Sequence, residues 1–210
     1  MLDLFGNCIR RYACLSICRP AMEAVYDILR ISFEQGGKLL ICGNGGSASD
    51  SGHMAAELLK SFLLPRPIPT RECARLGEDL SSKLQGALPA ISLPDFVAIN
   101  TAYANDCDPH YHFAQLTWAF GNPQDILFGI STSGNAKNVC LAAQVARAKG
   151  MKVVGLSGKT GGTLKPLCDA CICVPEEETY KIQELHLPIY HTLCAMLEQY
   201  FFSQKESPHP

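Results

Sequence analysis

Two residue pairs in this 210-residue chain have the types and spacing for acid–base or metal chemistry. His53 and Glu57 stand four apart in a stretch that reads as helix, so both side chains project from one face. Gln183 and His191 stand eight apart in a second helical stretch and again share a face, while His186 points elsewhere. If the two helices meet, within one subunit or across an interface, the four side chains can surround one divalent ion. Two imidazoles, a carboxylate and an amide oxygen suit zinc or a similar metal. The groups also work without a metal, with Glu57 and His191 as a base and acid pair. The residues leave both uses open, beside the plain one of a surface pair or a satisfied core contact. Tyr180 and Tyr190 read as packing residues, and His110 and His112 as surface.

Two loops have the composition to hold an anion. Gly43-Asn44-Gly45-Gly46-Ser47 supplies glycines that let backbone approach a phosphate, and a hydroxyl where a helix starts. Ser131-Thr132-Ser133-Gly134-Asn135 supplies three hydroxyls and a second helix start. Helix N-termini present unpaired N–H groups and a partial positive charge. Each loop therefore suits phosphate or sugar oxygens. Neither matches the Walker pattern, and the GxGxxG fingerprint is missing, so a phosphorylated sugar is favoured over a nucleotide.

Both loops need strands before them and helices after them. Apolar runs at Lys38–Cys42, Leu88–Leu93, Asp125–Ile130 and Lys152–Leu156 read as strands, with a fifth near Cys171. Helical spacing marks Ala21–Phe33, about Ala48–Phe62, Val139–Lys149 and Glu178 to about Phe202. Short apolar strands alternating with helices predict an α/β fold: a three-layer parallel sheet covered on both faces, with an N-terminal helix and a long C-terminal one. In such sheets ligands bind beyond the carboxyl ends of the strands, where both loops fall. The chain reads as a single domain, with its core over about 20–202 and a long, proline-rich surface excursion over 65–86 that has room for one short helix. The tail from Ser203 to Pro210 reads as frayed.

A net charge of −2 without a long basic run argues against a nucleic-acid partner. No apolar run is long enough to span a bilayer, and the start, Met1-Leu2-Asp3-Leu4, does not read as a secretory leader. Eleven cysteines, an odd count, then indicate reduced thiols in the cytoplasm. Cys168-x-x-Cys171-x-Cys173 has the look of a metal knuckle. The favoured reading is a short strand of small hydrophobes, because no second Cys/His pair stands near enough to complete four ligands. Cys8, Cys14 and Cys18 fall in a helical-looking stretch and read as packing.

The glycine loop, His53-x-x-x-Glu57, Ala104-Asn105-Asp106, the hydroxyl loop and Ile182-Gln183-Glu184-Leu185-His186 together resemble the SIS (sugar isomerase) domain, in order and over about Ala21–Tyr200. Within it they look most like the phosphoheptose isomerases, which interconvert sedoheptulose 7-phosphate and D-glycero-D-manno-heptose 7-phosphate. The resemblance implies substrate contacts from Asn44, Gly45, Gly46, Ser47, Asn105, Asp106, Ser131, Thr132, Ser133 and Gln183. It implies zinc on His53, Glu57, Gln183 and His191, with Glu57 and His191 also the base and acid. It further implies a homotetramer with sites at subunit contacts.

Four features depart from the pattern of the resemblance. The 65–86 excursion is longer than expected, Ala136 stands where a serine is expected, Tyr180 where an aspartate is, and Ser61 where an arginine is. The last two bear on activity or on the choice of phosphosugar. A non-catalytic SIS protein, such as the DnaA initiator-associating type, is the main rival reading. That group is expected to lack the second imidazole of the final helix, which this chain has in His191. A phosphosugar sensor and an isomerase of a different phosphosugar are two further readings.

Overall fold

The computed structural model describes residues 3–203, so the tail reading over 204–210 lies outside the described residues. Five strands, Leu39–Cys42 (β1), Ala90–Ser92 (β2), Ile126–Ser131 (β3), Lys152–Ser157 (β4) and Ala170–Cys173 (β5), form one parallel sheet in the order β2-β1-β3-β4-β5. The helices among the described residues are Leu4–Arg11 (α1), Arg19–Glu34 (α2), Gly46–Leu59 (α3), Thr70–Leu76 (α4), Glu78–Lys83 (α5), Val97–Asp106 (α6), His112–Phe120 (α7), Lys137–Ala148 (α8) and Thr179–Phe202 (α9).

Every residue of β1 and β3 is buried, as central strands covered on both faces must be. The strand period of two splits their side chains between two cores. Leu39 and Ile41 face a core built with Met22, Val25 and Leu29 of α2, Met54 and Leu58 of α3, and Ile189 and Leu193 of α9. Leu40 and Cys42 face the other core, with Phe113 and Leu116 of α7 and Val139 and Ala143 of α8. The three-layer architecture and the two terminal helices are as the sequence predicts.

Local boundaries differ from the predicted ones where backbone chemistry overrides periodicity. The helix after the glycine loop begins at Gly46 and ends at Leu59, with Lys60 already extended. The second strand shrinks to Ala90–Ser92 because Leu93-Pro94-Asp95 turns as a single 3-10 turn. Pro94 has no N–H to continue a ladder. Cys8 lies in α1 and Cys18 closes a 3-10 segment, both buried, whereas Cys14 is exposed and is no packing residue. The 65–86 excursion holds two short helices, α4 and α5, neither with a buried residue. Helices α6 and α7 fill a stretch whose pattern does not announce them, and α6 also has no buried residue. Among the described residues, no helix is long and apolar enough to cross a membrane.

Candidate active site

In this strand order the direction of winding reverses between β1 and β3, so the crevice beyond their carboxyl ends is where a ligand is expected. A cleft of about 370 Å³ opens there. Its walls are the two predicted loops, from Asn44, Gly45, Gly46 and Ser47 on one side and Ser131, Thr132 and Ser133 on the other. Gly45 adopts φ 56° and ψ −121°, a left-handed conformation that side chains disfavour, and so lets the loop turn into α3. Gly46 is needed for a different reason. A Cβ there would stand 2.5 Å from Nε2 of Gln183, so the first turn of α9 seats its amide directly on the glycine loop.

The hydroxyl loop is braced from below. Ser157 Oγ donates to the Ser131 carbonyl at 2.6 Å, and the Asn135 N–H donates to Ser133 Oγ at 3.1 Å. Ala136, in place of the expected serine, lines the cleft, and its N–H reaches Ser131 Oγ at 3.4 Å. Asn44 does not hang free: its amide exchanges hydrogen bonds of 2.9 and 2.8 Å with the amide of Asn138 on α8. Asn138 in turn contacts His112 Nε2 at 3.4 Å. His112 is thus half-buried and belongs to this network, a correction to its reading as a surface residue; His110 is exposed as expected.

Helices α3 and α9 cross so that three of the four proposed metal-site residues meet. His53 Nε2 lies 3.3 Å from Glu57 Oε1 and 3.3 Å from His191 Nε2. Glu57 Oε2 is buried and makes no hydrogen bond, with Lys60 Nζ 3.7 Å away. Burial, with His53 alongside, holds the His191 imidazole below its ordinary pKa and so favours its neutral form. Gln183 is the exception. Turned to Gly46, it makes no hydrogen bond to the three, and about two turns of α9 separate it from His191. Among the described residues, no group of three or more His, Cys, Asp or Glu side chains is arranged to hold a metal.

Tyr190 is more than a packing residue. Its ring is buried, but its hydroxyl lies 3.2 Å from Asp50 Oδ1 and 3.1 Å from His53 Nδ1. Burial, with Asp50 next to it, pushes the phenol pKa well up; burial also raises that of the Asp50 carboxyl, against the Tyr190 hydrogen bond. His186 is a core histidine, fully buried, with neither ring nitrogen in a well-formed hydrogen bond, and burial lowers its pKa to about 4. Tyr180 is exposed. Asn105 and Asp106 close the exposed helix α6, bond to each other at 2.8 Å and do not line the cleft.

Sequence reasoning misses Arg66. Both it and Glu198 of α9 are fully buried, and Nε donates to Glu198 Oε1 at 2.8 Å. Its other nitrogens donate to the carbonyls of Leu58 (2.7 Å) and Glu57 (2.8 Å) at the end of α3. Glu198 also accepts the N–H groups of Phe62, Leu63 and Leu64. The pair clamps α3 to α9 beside the imidazoles. Only an arginine set between Pro65 and Pro67 hints at it.

Most of the cysteines are buried or half-buried, whereas Cys14 and Cys107 are exposed. None of those described is in a disulfide. Cys171 and Cys173 share a face of β5 with sulfurs 3.8 Å apart, and burial pushes the Cys173 thiol up to about 11.

Comparison with known proteins fits this geometry. The SIS domain family matches residues 17–158. The chain is 40% identical over 190 residues to the phosphoheptose isomerase of Helicobacter pylori strain P12, covering 87% of this chain and 89% of that one. It is 39% identical over 198 residues to that of Crocosphaera subtropica, covering 94% and 91%. Among solved structures, the phosphoheptose isomerase of Francisella tularensis superposes with a TM-score of 0.76 at 32% identity, over 93% of this chain and 94% of that one. The one from Neisseria gonorrhoeae gives 0.75 at 29%, over 93% and 95%. The cleft at the winding switch and the carboxylate–imidazole cluster between α3 and α9 thus sit in a fold that these isomerases share, and the chain belongs to the SIS domain family, within its phosphoheptose isomerase group.

Proposed function

We propose that the chain is an aldose–ketose isomerase that interconverts sedoheptulose 7-phosphate and D-glycero-D-manno-heptose 7-phosphate. The observation that carries this reading is the meeting of Glu57, His53 and His191 between α3 and α9, the two helices whose first turns line the anion cleft. The phosphate binds among Asn44, Gly45, Gly46 and Ser47 and the hydroxyls of Ser131, Thr132 and Ser133, with Gln183 against the sugar. Glu57 removes a proton beside the carbonyl to give an enediol. His191, neutral at rest, moves a proton on the sugar oxygens, and the carbon-bound proton returns to the neighbouring carbon. Hydrogen-bond donors around the cleft stabilise charge that develops on those oxygens.

The donor types of His53, Glu57, Gln183 and His191 suit a zinc ion, which they would hold once the side chains regroup. Two imidazole nitrogens on one tetrahedral zinc stand about 3.4 Å apart, given Zn–N bonds of about 2.0–2.1 Å. The His53 and His191 Nε2 atoms are 3.3 Å apart, and Glu57 keeps an unpartnered carboxylate oxygen beside them. His53, Glu57 and His191 would hold the ion, with the Gln183 amide as fourth donor once it turns from Gly46. When bound, zinc supplies positive charge to the enediolate oxygens.

We read the working form as a cytoplasmic homotetramer with sites at subunit contacts and neither a nucleic-acid nor a membrane partner. Helix α6 supports this reading, because it has no buried residue and exposes 65% of Val97 while carrying Asn105 and Asp106. A second subunit would cover it and bring those two residues to a site.

The test is to incubate metal-analysed protein with sedoheptulose 7-phosphate and follow the aldose by NMR. Turnover is expected. Binding of the phosphosugar without turnover would leave a sensor instead.

A further inference from the structure

We propose that Tyr190 is a positioning residue that fixes the His53 tautomer, keeping the hydrogen on Nδ1 and the lone pair of Nε2 aimed at Glu57 and His191. Asp50 Oδ1, Tyr190 Oη and His53 Nδ1 form a chain with spacings of 3.2 and 3.1 Å. An ionised carboxylate only accepts hydrogen bonds, so the single hydroxyl proton of Tyr190 goes to Asp50. The phenol oxygen then has only lone pairs to offer His53, and Nδ1 must be the donor. The neutral ring carries one N–H, which leaves Nε2 bare.

The other side of the ring agrees. Nε2 faces Glu57 Oε1 and His191 Nε2, both at 3.3 Å, and no hydrogen bond forms between His53 and Glu57. With Nε2 bare, His191 Nε2–H is the donor of the 3.3 Å hydrogen bond between the two imidazoles. A cation replacing that hydrogen would meet the bare Nε2 beside a carboxylate oxygen and a second imidazole nitrogen. A ligating histidine is usually oriented through its other nitrogen by a carboxylate or carbonyl. Here a buried phenol stands between the carboxylate and the ring. Its ring packs edge-on to the His53 ring with centroids 5.5 Å apart, so the hydroxyl is held where it is needed.

The tautomer stands on hydrogen-bond polarity alone; its use in orienting a metal ligand rests on the zinc reading above. Two measurements separate them. In full-length, metal-stripped protein labelled with 15N-histidine, long-range 1H–15N correlation spectra report which nitrogen of His53 carries the hydrogen. The Nδ1–H form is expected in the wild type and a shift to Nε2–H in Tyr190→Phe, which removes one oxygen and keeps the buried ring. An Nε2–H form in the wild type, or the same tautomer in both proteins, overturns the proposal. Zinc affinity from chelator competition should fall roughly 10- to 100-fold in Tyr190→Phe. Equal affinity would overturn the orienting role, whereas a wild type that binds no zinc would sink the zinc reading and leave the spectra to decide the tautomer.

Discussion

The two ends of the site are built by opposite means. At the anion cleft the groups are mostly local: glycine backbone and hydroxyls at the starts of α3 and α8, each set by the strand before it. At the imidazole cluster they are side chains from α3 and α9, more than 130 residues apart in sequence. The cleft tolerates a lost side chain, because backbone N–H groups remain. The cluster depends on how two helices cross, and that crossing is held by a buried ion pair, Arg66 with Glu198, and by apolar packing of Met54, Leu58, Ile189 and Leu193. Damage should therefore separate. Changes near the crossing should cost turnover and stability, and changes near the loops should cost affinity.

Arg66→Met makes the largest break. It strands the Glu198 carboxylate in the core, and losing one partner of a buried pair costs about 3–5 kcal/mol. Urea unfolding should show that loss, and turnover should fall further than phosphosugar affinity. The double variant Arg66→Met/Glu198→Gln, which removes the stranded charge but keeps an oxygen for the 62–64 N–H groups, should recover part of the stability and little of the turnover. Full recovery of turnover would mean that the clamp does not position the cluster.

His186 sits on α9 between the two ends, and its folded pKa of about 4 lies below the ordinary 6.5. A depressed histidine pKa gives stability that is complete above about pH 6.5 and is lost as pH falls toward 4, because the unfolded chain takes up the proton more readily. The loss approaches about 3 kcal/mol at the acid end. Thermal melts across that window should show the decline, and His186→Leu should flatten it. An unchanged slope in that variant would place the acid sensitivity elsewhere.

The smallest effect is expected at the cleft. Asn138→Ala releases the Asn44 amide, at a cost of about 0.5–1.5 kcal/mol for the lost hydrogen bonds. Steady-state kinetics should show a several-fold rise in KM with kcat little changed. A fall in kcat alone would merge the two ends that the comparison keeps apart.

The same contrast explains what the sequence could show. The β1 and β3 runs, the glycine and hydroxyl loops and the long α9 are legible because period and turn chemistry are local properties. His53 and Glu57 are legible as a pair because helix geometry fixes a four-residue spacing. Their meeting with His191 is an expectation from resemblance, since no local rule says which helices cross. Arg66 is invisible: its burial depends on Glu198, 132 residues away, and on two carbonyls freed by the end of α3. The Tyr190 hydroxyl escapes notice for a like reason, because an aromatic in an apolar helix looks the same whether or not its oxygen finds a partner. Asn105 and Asp106 stand apart from the cleft, on a helix that buries none of its residues.

The central claim is that Glu57 acts on a proton of a bound phosphosugar. The most direct measurement follows sedoheptulose 7-phosphate by NMR in D2O with the wild type and with Glu57→Gln, with phosphosugar binding measured for both. The wild type should convert ketose to aldose. The variant should bind the sugar yet lose roughly 100- to 10,000-fold in conversion, the range expected when a general base is removed. Conversion by Glu57→Gln at the wild-type rate would contradict the account.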